Sequence, residues 1–135
     1  MIDDYAHHPT EVETIVRVAL ASGHRRVVAV FQPHLYTRTE LLFREFGLAL
    51  SGADRVVVTD VYASREAPIP GVTGELVAGA VSRPRNEVFY APHRADLAAM
   101  LAALVEPGDL VLTMGAGDIT LVPTELAALL KADEQ

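Results

Sequence analysis

Cysteine is absent from this chain, lysine occurs once, at Lys131, and basic residues nowhere gather into a run. Without cysteine there is no disulfide framework and no thiolate to act as nucleophile or ligand. That absence fits a cytoplasmic protein. Without a basic stripe, and with a net charge of −7, the chain lacks the kind of surface that gains affinity by neutralising phosphates, so no nucleic-acid partner is expected. No apolar run approaches the ~20 residues that span a bilayer, and no membrane partner is expected. The opening Met1-Ile2-Asp3-Asp4-Tyr5 is acidic and lacks the regions of a signal peptide. It reads as the start of a strand, which fits a piece of a longer polypeptide. Nor does G-x-x-x-x-G-K-[ST] occur, so the chain does not grip a triphosphate as a P-loop does.

Half of the 135 residues are hydrophobic, enough for one ordinary folded domain and too few for two. Over residues 9–22, Val12, Ile15, Val16, Ala19 and Leu20 recur at helical spacing, with Pro9 suited to the first helical position and Gly23 to the stop. Val27-Val28-Ala29-Val30-Phe31 is a β-branched run too short for a helix and reads as a buried strand. The alternation then repeats. A helix is predicted over 39–50, with Leu42, Phe43, Phe46, Ala49 and Leu50 facing inward, then a strand over 56–59. Thr73 caps a helix through Leu76, Val77 and Val81; a strand over 88–90 and a helix over 94–105 follow. A strand over 110–113 and a helix near 124–131 close the chain. Apolar strands separated by helices predict one α/β domain over residues 1–135, doubly wound and Rossmann-like, its sheet mostly parallel with helices on both faces. A two-component receiver would share this size and layout, but its last strand should end in a lysine, where this chain has Leu112-Thr113-Met114.

In such sheets ligands sit beyond the carboxyl ends of the strands. Four polar segments fall there: residues 4–8, 32–38, 60–66 and 115–118. Within Asp3-Asp4-Tyr5-Ala6-His7-His8, carboxylates and imidazoles suit several divalent ions, but neighbouring residues point apart and cannot all reach one ion. The other reading is that one acid and one histidine cap the following helix. No metal ligand is assigned. Gly115-x-Gly117 reads either as a phosphate-cradling turn or as a tight strand-to-helix turn that needs positive φ. Arg38 follows the second strand among Gln32, His34, Tyr36 and Thr37. A guanidinium at a helix N-terminus opposes the helix dipole, which makes a bound carboxylate or phosphate the more natural reason for it. Arg65-Glu66 reads as a surface ion pair of little worth.

Four blocks, in order along the chain, resemble the C-terminal domain of the Mur ligases. They are Asp3-Asp4-Tyr5-Ala6-His7-His8-Pro9-Thr10-Glu11-Val12, Phe31-Gln32-Pro33-His34-Leu35-Tyr36-Thr37-Arg38-Thr39, Glu66-Ala67-Pro68-Ile69-Pro70-Gly71-Val72-Thr73 and Gly115-Ala116-Gly117-Asp118-Ile119. The first two are specific, and they favour the members that join L-alanine to UDP-N-acetylmuramate in peptidoglycan synthesis. The resemblance implies an ATP-dependent ligase working through an acyl phosphate. Its UDP-sugar domain and its central ATPase domain, with P-loop and Mg²⁺, lie outside this chain. The domain is expected to be inactive alone and to hold no cofactor tightly; L-alanine, UDP-N-acetylmuramate and ATP are met through the other domains. By the same resemblance Tyr5, His7, His34 and Arg38 line the L-alanine site, Arg38 gripping its carboxylate and His7 positioning rather than serving as an obligatory base. Asp4 lies near the nucleotide. Leu35 stands where many members carry a second arginine, which leaves the carboxylate to Arg38 with His34, a water or a different grip. Two other functions fit the residues alone: a metal-dependent phosphoester hydrolase built on the Asp/His cluster, and a non-catalytic nucleotide- or anion-binding module built on the glycine turn.

Overall fold

The β-branched run after Gly23 lies at the centre of a sheet. In the computed structural model, which describes residues 1–133, five strands alternate with five helices. The order is β1 (Ile2–Asp4), α1 (Pro9–Leu20), β2 (Arg26–Phe31), α2 (Tyr36–Leu50), β3 (Arg55–Thr59), α3 (Gly74–Ala80), β4 (Val88–Ala91), α4 (Leu97–Leu104), β5 (Asp109–Met114) and α5 (Val122–Asp133). Every pairing is parallel, in the order β1-β5-β2-β3-β4.

The alternation of side chains along each strand sorts them onto two cores. Val27, Ala29 and Phe31 of β2 face one side, with Val56, Val58, Leu110 and Leu112, against Val12 and Val16 of α1, Phe46 and Leu50 of α2 and Val77 of α3. Val28 and Val30 face the other side, with Val57 and Val111, against Leu97 and Leu101 of α4 and Leu126 of α5. Each buried aliphatic side chain contributes about 1.5–3 kcal/mol. Among the described residues no helix is long and apolar enough to cross a membrane.

Three local differences from the periodicity are physical. Leu20, on the predicted buried stripe, is 42% exposed because it ends α1 beyond the sheet-facing turns. The predicted 39–50 helix begins earlier, at Tyr36, because Leu35 turns the chain at φ 71 and its carbonyl accepts from the Thr39 N–H and hydroxyl. The predicted 94–105 helix opens as a 3-10 turn, Arg94–Asp96, where Arg94 is held by Asp118 and Glu125.

At the opposite, amino-terminal edge of the sheet, Arg26 and Asp109 stand in register on β2 and β5. Arg26 Nη2 donates to Asp109 Oδ2 at 2.6 Å and Nε to Oδ1 at 3.1 Å, and the Asp109 side chain is 1% exposed. Burial acts to raise the Asp109 pKa, but the Arg26 hydrogen bonds, the Glu106 N–H and the nearby guanidinium charges together hold it below the usual carboxylate value. A depressed folded-state pKa means that this stabilisation is complete above the unfolded value of 3.8 and is lost as pH falls through the folded one. Asp109→Asn is expected to cost about 2 kcal/mol near neutrality and to flatten the acid limb of the stability profile. Denaturant titrations from pH 7 down to 3 check this; an unchanged acid limb contradicts it.

Candidate functional site

At the carboxyl edge, the chain leaves β2 for the α2 face and leaves β5 for the α5 face. Adjacent strands whose connections diverge open a crevice, the usual ligand position in such sheets. Gln32, 3% exposed, ties its two sides together: Nε2 donates to Asp118 Oδ1 at 2.7 Å, and Oε1 accepts from the Ile119 N–H at 3.2 Å. The glycine block is packed against this bridge. Gly115 has φ 153, and a Cβ on Gly117 would lie 2.5 Å from Tyr62 Cγ and 2.7 Å from Gln32 Oε1. Of the two sequence readings, the geometry favours the tight turn, its missing side chains giving room to protein groups. On its open side the turn borders a cavity of about 400 Å³ shared with Asp3, Asp4, Tyr5 and Thr120.

The loop after β1 is built by local hydrogen bonds. Asp4 Oδ1 accepts from the Ala6 N–H at 2.8 Å, and Asp3 accepts from the hydroxyls of Thr113 and Thr120 at 2.7 and 2.6 Å. The acid that caps α1 is Glu11, whose Oε1 accepts from the His8 N–H at 3.1 Å and the His7 N–H at 3.4 Å. Those bonds, the one from His7 foremost, hold Glu11 below its ordinary pKa.

His7 Nδ1 lies 3.0 Å from the Tyr5 carbonyl oxygen. A carbonyl only accepts, so Nδ1 carries the proton, and in the neutral ring Nε2 is left as a free acceptor. His34 has the opposite arrangement. Arg38 Nη1 is 3.3 Å from His34 Nδ1, and a guanidinium only donates, so the His34 proton is on Nε2. Burial first, then the charges of Arg38 and His7, lower the His34 pKa, with Glu66 opposing. The ring therefore stays neutral at pH 7.

The two imidazoles meet edge to face at 6.4 Å, Tyr5 packs on His7 at 5.2 Å, and Tyr62 stacks on His34 at 5.9 Å with 19° between the planes. Tyr5, His7, His34 and Arg38 thus stand together on one rim. Among the described residues Arg38 has no carboxylate partner. Asp4 lines the cavity beside the glycine turn, together with Tyr5.

Tyr62 joins the site without having been singled out in the sequence; its segment was placed on the rim, but a stacking partner leaves no periodic signal. Glu66 does not serve as a partner for Arg65 and instead accepts from the Thr37 N–H and hydroxyl at 3.2 and 2.5 Å, a carboxylate at the favourable end of the α2 dipole. The Thr37 hydroxyl bond leads in lowering its pKa.

Among the described residues, His7, His8 and Glu11 form a cluster whose donor atoms lie within 4.8 Å of one another. Two imidazoles and one carboxylate suit a borderline transition metal, whereas Mg²⁺ takes an all-oxygen shell, so these residues do not fit Mg²⁺. Asp3 and Asp4 are outside the cluster, with carboxylate oxygens engaged elsewhere.

A family model described as Mur ligase, glutamate ligase domain, matches residues 1–117. The chain belongs to the Mur ligase family. A UDP-N-acetylmuramate–L-alanine ligase of Cutibacterium acnes is 53% identical over 133 residues, covering 97% of this chain and 28% of that protein. Its namesake from Kineococcus radiotolerans is 56% identical over 131 residues, covering 96% and 28%. This Mur ligase chain thus spans 28% of the length of those curated relatives. Among solved structures, the UDP-N-acetylmuramate–alanine ligase of Thermotoga maritima superposes with a TM-score of 0.74 at 25% identity, over 96% of this chain and 26% of that one. A MurF ligase from the same organism, solved with ADP, shares the fold at a TM-score of 0.67 and 20% identity, over 96% and 28%.

Proposed function

We propose that this domain closes the amino-acid half of the active site in a cytoplasmic ATP-dependent ligase that joins L-alanine to UDP-N-acetylmuramate. The sugar-nucleotide and ATPase domains would belong to the remainder of a longer polypeptide. One observation carries the reading: Arg38, which among the described residues has no carboxylate partner, adjoins His34, whose ring meets His7, and the two imidazoles present opposite atoms, a His34 Nε2–H donor and a His7 Nε2 acceptor. An amino acid has the matching pair of ends.

The γ-phosphoryl group of ATP passes to the muramoyl carboxylate, giving an acyl phosphate and ADP. Arg38 binds the L-alanine carboxylate, with the His34 Nε2–H as a second donor in place of an arginine at Leu35. The amine attacks the acyl carbon, the tetrahedral intermediate expels inorganic phosphate, and the proton lost by the amine passes to a nearby acceptor. His7 Nε2 is placed to orient that amine, and Tyr5 walls the pocket. Asp4 has one oxygen spent on the Ala6 N–H, and its other oxygen would serve the nucleotide. Positioning of this kind is worth several kcal/mol of barrier and needs no covalent step on the domain itself.

The test is ATP-dependent amide formation. The full-length protein should ligate L-alanine to UDP-N-acetylmuramate with one phosphate released per amide, while the 135-residue chain alone should not. Ligation by the isolated chain sinks the division of labour, and a full-length protein that fails to ligate sinks the reading as a whole.

A further inference from the structure

The loop after β3 reaches the rim through Tyr62, which the grip described above does not use. We propose that Tyr62 is a positioning residue: ring and backbone together hold His34 so that Arg38 is aimed at the substrate carboxylate and not drawn into solvent. The inference rests on the ligase reading for what Arg38 binds.

Three contacts carry it. First, the backbones are laddered: the Tyr62 N–H donates to the Pro33 carbonyl at 2.8 Å, and the Leu35 N–H donates to the Tyr62 carbonyl at 3.0 Å, so His34 sits inside a parallel bridge. That bridge also secures Leu35 at φ 71, a left-handed backbone that a leucine holds only when its surroundings enforce it. Second, the rings stack nearly parallel, at 19°. Third, Tyr62 is clamped from behind, because the space that a Cβ on Gly117 would occupy, 2.5 Å from Cγ and 2.7 Å from Cδ1, is what lets the ring lie against the glycine turn. Gln32 fixes that turn to β2. A chain of contacts therefore runs from the β5 turn through Tyr62 to His34 and Arg38. Among the described residues the Tyr62 hydroxyl makes no hydrogen bond, so the ring face, not the oxygen, does the positioning.

The charged and titratable groups that face His34 are Arg38 of α2, His7 of the loop after β1 and Glu66 of the loop after β3. Removing the Tyr62 ring admits water to the imidazole and leaves those three in place. Tyr62→Leu removes the stacked ring and uncovers the imidazole face, and Tyr62→Phe keeps the ring.

Two measurements test the proposal. In the 135-residue chain, imidazole NMR should show the His34 titration moving to higher pH in Tyr62→Leu and staying in place in Tyr62→Phe. In the full-length protein, Tyr62→Leu should raise the KM for L-alanine roughly tenfold, the effect of one weakened charge-assisted hydrogen bond, and leave the KM for ATP within about twofold. Tyr62→Phe should restore the wild-type KM. An unmoved His34 titration in Tyr62→Leu, or a Tyr62→Phe protein as impaired as Tyr62→Leu, overturns the proposal. If the wild-type full-length protein does not ligate at all, the ligase reading falls, and the His34 titration still decides whether Tyr62 positions the imidazole.

Discussion

Arg38→Ala in the full-length protein is expected to raise the KM for L-alanine about a hundredfold while the KM values for ATP and UDP-N-acetylmuramate stay within about twofold. The size follows from losing a bidentate, charge-assisted contact to a carboxylate, about 2–3 kcal/mol. The selectivity follows from where the residue stands. Arg38 leans on His34 and, among the described residues, on no carboxylate, so its removal breaks no ion pair that holds the fold. The unfolding midpoint should therefore barely move. Arg38→Lys should recover only part of the loss, since an ammonium keeps the charge but cannot make two parallel hydrogen bonds.

The pH profile adds a second readout. Burial does most to lower the His34 pKa, and the Arg38 charge comes next. Removing the guanidinium lets the ring take a proton at higher pH, so the His34 titration followed by imidazole NMR should shift upward in Arg38→Ala. An unchanged KM for L-alanine would falsify the assignment of Arg38 to the carboxylate.

What could be read in the sequence follows from whether the signal is local. Runs such as Val27-Val28-Ala29-Val30-Phe31 and the spacing of Val12, Val16 and Ala19 report burial directly, so every strand from β2 to β5 and every helix was legible to within a few residues. The same alternation placed four polar segments on one rim, and the structure brings Tyr5, His7, His34 and Arg38 together there. The partners within the rim were not legible. Gln32 spans the crevice to Asp118 across 86 positions of sequence, and Glu66 caps α2 across 29. Pairings between distant loops depend on strand order, and nothing in the pattern of apolar residues specifies that β5 inserts between β1 and β2. The capping acid of α1 lay within reach of sequence reasoning, because Glu11 stands three residues after its N-cap, the spacing of a capping box.

The largest stability effect expected of a single methyl group belongs to Gly74→Ala, at about 3 kcal/mol of destabilisation. Gly74 opens α3 where that helix runs into the carboxyl end of β3. A Cβ there would overlap the Thr59 carbonyl oxygen, lie 2.9 Å from its carbon and sit 3.2 Å from Asp60 Cα. These are backbone atoms of a buried strand, and no rotamer change relieves them. Moving the helix away would also stretch the Gly74 N–H bond to Asp60 Oδ1, now 2.9 Å, which together with the Val61 N–H fixes the start of the loop carrying Tyr62. Gly79, in the same helix, is the control. A Cβ at that position meets nothing within 4 Å, so Gly79→Ala should stabilise by about 0.5–1 kcal/mol through helix propensity and the smaller entropy of the unfolded chain. Both substitutions add the same atoms to the same helix, and only the surroundings differ. Urea unfolding of the two variants should therefore give changes of opposite sign, and a Gly74→Ala protein as stable as wild type would mean that α3 does not press on β3 as closely as these distances require.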